Sequence, residues 1–93
     1  MPESPDSFAA LSARNQKTLI EFLRVDLDLA FTFLHTAEIE ADSDPAHCRA
    51  ALQLVGVALA SIRRFQGRIE DAGEWMKIHD RANELEAATP ALS

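Results

Sequence analysis

The sequence predicts an all-α fold: a long antiparallel helical hairpin with a shorter third helix packed on it, forming a three-helix bundle that dimerises. Three observations carry this reading. Apolar residues recur at steps of three and four along most of the 93-residue chain, the spacing of one helical face. The tetrapeptide Asp42-Ser43-Asp44-Pro45 cuts that pattern into two segments of nearly equal length. The first of these segments is apolar around most of its circumference, so it needs neighbours on two sides.

Residues 1–6, with Pro2 and Pro5 and the acids Glu3 and Asp6, read as a disordered lead to a single domain over 7–88. A short helical turn fits 7–13, and Asn15 either caps the long helix that follows or continues it. This helix A spans about 15–41. Pro45 fixes its own φ and disfavours helix at the residue before it, while Ser43 or Asp44 can accept from the first free amides of a new helix. Helix B therefore spans about 45–70, and so short a connection folds it back along helix A. Asp71, followed three residues later by Glu74, is a capping-box pattern that starts helix C, 72–88. Thr89-Pro90 stops it, leaving a tail over 89–93. One bent helix through Gly67 or Gly73 is the alternative. A break is favoured because glycine in a helix interior costs about 1 kcal/mol against alanine.

Helix B is amphipathic, with Cys48, Ala51, Leu52, Val55, Ala58, Leu59, Ile62, Phe65 and Ile69 on one stripe. Helix C has a narrower stripe of Trp75, Ile78, Ala82 and Leu85. Helix A has two apolar ridges, one of Phe22, Val25, Leu29 and Phe33, the other of Ile20, Leu27, Phe31 and Leu34. A short helix C leaves part of this surface open, and a second copy is the common way to cover it. The Ile20-Leu27-Phe31-Leu34 ridge, or else the one opposite it, is the expected homodimer interface.

Fifteen acids against nine Lys and Arg give a net charge of −6, which argues against nucleic-acid phosphates or an anionic membrane as partner. Charge is also sorted along the chain. Residues 15–42 hold six acids against Lys17 and Arg24; 45–69 hold four arginines and no acid; 70–88 hold six acids against Lys77 and Arg81. Helix B can thus contact both neighbours through complementary edges. The lone Cys48 excludes an intrachain disulfide. The uncharged run from Ala50 to Ile62 is too short to span a bilayer. A cytoplasmic protein is expected, with no cofactor. No helical-repeat signature is present, and no motif ties the chain to a known family.

Two clusters could carry chemistry. Asp26 falls between the ridges of helix A, where an ionised carboxylate needs a partner, and the hairpin register brings it towards Arg63, Gln66 and His79. A structural ion pair with Arg63 or His79 is the expectation, because no nucleophile or second carboxylate joins it at a catalytic spacing. His35, Glu38, His47 and Cys48 gather near the A–B turn with nitrogen, oxygen and sulfur donors. The bundle signature of Glu followed three residues on by His is reversed there, so no native metal is expected. The resulting reading is a non-enzymatic helical interaction or assembly module, a homodimer. The alternative is a small ligand- or metal-binding helical protein with its site at the A–B turn.

Overall fold

The computed structural model describes the backbone of residues 5–90 and the side chains of residues 10–90. Three helices make up the described residues, with no strand: α1 (Pro5–Glu40), α2 (Pro45–Gln66) and α3 (Ala72–Ala88). They form an elongated bundle of 62 × 23 × 18 Å. α1 takes in the stretch 7–13 and runs through Asn15 without a break. No proline or glycine occurs in that segment after Pro5, so nothing interrupts the backbone ladder. Of the lead and tail, residues 1–4 and 91–93 lie outside the described residues, while Pro5 and Asp6 are already helical.

The α1–α2 break forms as its residues dictate. Asp44 is the N-cap of α2, its Oδ1 accepting from the His47 amide at 3.1 Å, with Pro45 in the first turn where its missing N–H goes unneeded. α2 stops at Gln66, short of the expected 70. Arg68 and Ile69 donate back to the carbonyls of Phe65 and Gln66, and this tight turn drives Ile69 into the core. Gln16 of α1 secures the turn, its amide donating to the Arg68 carbonyl at 3.0 Å and accepting from the Glu70 N–H at 2.9 Å. Asp71 then caps α3, its Oδ1 2.8 Å from the Glu74 amide. A Cβ at Gly73 would lie 3.2 Å from that carboxylate oxygen, so glycine leaves the cap its space. The reciprocal half of the capping box is replaced: the Glu74 carboxylate reaches Arg24 of α1 at 2.6 Å instead of turning back to Asp71.

The core follows one rule in all three helices. Leu23, Leu27, Ala30, Leu34 and Ala37 of α1 are buried at alternating steps of four and three, the spacing of helices packed at a shallow angle. Ala51, Leu52, Val55 and Ile62 meet them from α2, and Ile78, Ala82 and Leu85 from α3. Two ion pairs tie α3 to α1, Arg24–Glu74 and Arg81–Asp28, the second with Arg81 also over the Phe31 ring. By length and composition α2 is apolar enough to cross a membrane, with a mean hydropathy of 1.2 over its best window. That average includes both the side chains it sends to the core and an exposed pair, Leu54 and Val57.

Candidate functional site

Three of the four residues expected as a buried polar cluster come together between α2 and α3. Arg63 and Gln66 are one turn apart on α2, and both reach Nδ1 of His79 on α3, at 3.4 and 3.2 Å. Arginine has only donors, so Nδ1 must be the accepting nitrogen, and the neutral ring then carries its proton on Nε2. That choice also orients the Gln66 amide, whose NH₂ faces the ring and whose buried Oε1 is left without a partner. The second Arg63 nitrogen donates to Asn83 and Glu86, both at 2.7 Å. Stacking against Trp75 fixes the imidazole plane.

Asp26 does not join them. Among the described residues it makes no hydrogen bond or ion pair, and the expected partners are satisfied elsewhere, Arg63 by Glu86 and Asn83, His79 by Arg63 and Gln66. Asp26 lies half-buried on α1. Burial raises its carboxyl above the ordinary carboxylate value.

Of the residues at the α1–α2 turn only Glu38 and Cys48 come together, along one small cleft. His35 and Glu38 are exposed. His47 turns its ring to the Glu40 carboxylate. Cys48 is half-buried and lines a small cleft of about 130 Å³ with Leu34, Ala37, Leu52 and Pro90. No group of three or more metal-capable side chains lies together among the described residues.

The two ridges of α1 lie in different environments. The Ile20-Leu27-Phe31-Leu34 ridge is spent inside the chain: Leu27 and Leu34 are buried, and Ile20 and Phe31 pack half-buried against the same core. Ile78, Ala82 and Leu85 of α3 fill the space beside them, so a short α3 suffices to cover that side. The opposite ridge is open over three of its four members, while Phe33 packs half-buried against the core. Phe22, Val25 and Leu29 are 52%, 66% and 48% exposed, and Leu54 and Val57 of α2 are exposed too. Single exposed apolar side chains are ordinary, but a contiguous row on one helix marks a contact surface.

No protein-family model, curated protein or solved structure matches this chain. The surface offers an apolar row, a polar cluster of Arg63, Gln66 and His79 bonded to one another, and no group of three or more metal-capable side chains among the described residues.

Proposed function

We propose that the chain is a non-enzymatic helical assembly module that acts as a homodimer, using the outer ridge of α1 as its contact surface. The observation that carries this reading is the row Phe22, Val25 and Leu29, exposed at successive turns of the longest helix. Large side chains left in water at helical spacing gain about 25 cal/mol per Å² when a partner covers them. A second copy is the partner always present at equal concentration, and a two-fold contact is the commonest way such rows are closed.

We further infer that α1 and α2 run antiparallel. Gln16 near one end of α1 bonds to the segment just after α2, and Ala37 near the other end meets Cys48 in the first turn of α2. The net charge of −6 supports protein partners over nucleic-acid or anionic lipid surfaces, and the compartment proposed is the cytoplasm.

Light scattering on the eluting protein tests the assembly, with Val25→Lys as the comparison. The wild type should elute at the mass of two chains and Val25→Lys at the mass of one, with unchanged helical content. Equal single-chain masses for both would end the proposal.

A further inference from the structure

We propose that the second copy seats its α2 on α1 of the first, the two-fold axis running parallel to the helices, and that Glu21 and Arg64 pair across the two chains at the rim. The proposal rests on the homodimer reading and names the helices that meet.

From Thr18 to Ile39, α1 carries a seam at alternating steps of four and three residues, with Phe22, Val25 and Leu29 at its centre. This is the spacing of a helix that packs against another along its length. α2 repeats it over a shorter span, where Ala50, Leu54, Val57 and Ser61 follow the same alternation and Leu54 and Val57 are exposed. Successive residues lie about 100° apart around a helix, and this puts both seams on one face. On α1, Arg24 and Phe31 turn to α3 and Ala37 turns to α2; the seam lies beyond the α2-facing edge. On α2, Arg63 and Gln66 turn to α3, and the seam lies on the other flank. The α1–α2 pair thus presents a two-helix apolar face on the side away from α3.

Two such faces can meet about a two-fold axis in two ways. An axis across the helices lays α1 on α1 and α2 on α2. An axis along them lays α1 of each chain on α2 of the other. Charge separates the two. Glu21 and Asp26 flank the α1 seam, whereas no acid occurs between 45 and 69, and Arg64 and Arg68 continue the α2 seam past Ser61. The first arrangement lays α2 on itself, where no acid of 45–69 can face Arg64, and the second sets the acids of α1 against the arginines of α2. The axis along the helices is therefore favoured.

Register then names the pair. Gln16 is level with Arg68 and Glu70. Five residues on along α1 and five back along α2, Glu21 is level with Arg64, Glu21 on the outer flank of its seam and Arg64 at the step after Ser61 in its own. Neither has an ion-pair partner among the described residues, and the Arg64 guanidinium lies over the Phe65 ring. Within one chain the two side chains sit on opposite outer edges of the α1–α2 pair, so they meet only between copies.

Charge reversal with mixing tests this. Glu21→Arg and Arg64→Glu should each weaken the dimer about tenfold, since each places two like-charge contacts in every dimer. Mixed in equal amounts, the two variants should form heterodimers as tight as wild type, because each chain supplies the charge its partner lacks. Sedimentation velocity with one variant fluorescently labelled reads this directly. Variants that dimerise like wild type, or mixtures that recover nothing, overturn the proposed pairing while leaving a dimer in place. A wild-type chain that stays single, whether free or bound to neutral lipid vesicles, overturns the homodimer reading and this pairing with it.

Discussion

Leu27 and Leu29 stand two residues apart on α1 in opposite environments, the first fully buried against α2 and α3, the second 48% exposed on the outer ridge. Leu27→Ala empties a site in the core cluster that also holds Val55 and Ile78. It should lower unfolding stability by about 2–5 kcal/mol, the range for truncating a buried leucine. Leu29→Ala should leave the stability of the single chain within about 0.5 kcal/mol of wild type, as surface truncations do. Urea unfolding at low protein concentration compares the two, and similar losses at both positions would mean that the assigned helix face is wrong.

Asp26 makes stability fall as pH rises through its own titration. Burial raises the folded carboxyl above the unfolded value, so between those two values the native state holds the proton more tightly than the unfolded chain does. Stability in that window therefore declines with increasing pH, the opposite of a salt-bridged acid. Asp26→Asn should remove this contribution and be at least as stable as wild type at pH 7. A pH series of unfolding midpoints for both proteins checks it. A marked loss of stability in Asp26→Asn at pH 7 would show that the carboxylate has a stabilising partner after all.

The Gln66 side chain is buried with one oxygen unpaired. Replacing it with methionine keeps the length and removes the orphaned acceptor, while Arg63 still donates to His79. Gln66→Met should therefore lie within about 1 kcal/mol of wild type or be more stable, since losing an unsatisfied buried acceptor offsets a lost hydrogen bond. A loss well beyond that in thermal unfolding would mean that the amide oxygen has a partner, such as a bound water.

Gly56 sits in the interior of α2 with open space where a Cβ would point. Gly56→Ala should stabilise the helix by up to about 1 kcal/mol. It lies off the α2 seam, so dimer affinity should not change. A stabilised chain that dimerises less well would place the partner on the wrong flank of α2.

Much of the fold is legible in the residues themselves. Asp44 with Pro45 and Asp71 with Glu74 are local signals, each acting within one turn, and both caps form on those residues. The end of α2 was not legible, because it depends on Gln16, fifty-two positions from Arg68, taking over two backbone bonds. The choice between the α1 ridges was equally hidden. Periodicity shows two apolar faces, but which one α3 covers is settled by long-range pairs, Arg24 with Glu74 and Asp28 with Arg81. Asp26 was misjudged for a related reason. The hairpin register brings it level with α2, but Arg63 projects towards α3, where Glu86 and Asn83 hold it.

The mass of the wild-type chain in solution tests the central claim most directly. Sedimentation equilibrium from about 1 to 100 μM, a span in which a dimer of ordinary affinity populates, should converge on twice the 10.2 kDa of one chain. A mass that stays at one chain across that range would contradict the account. Phe22, Val25 and Leu29 would then be a row that nothing of this sequence covers.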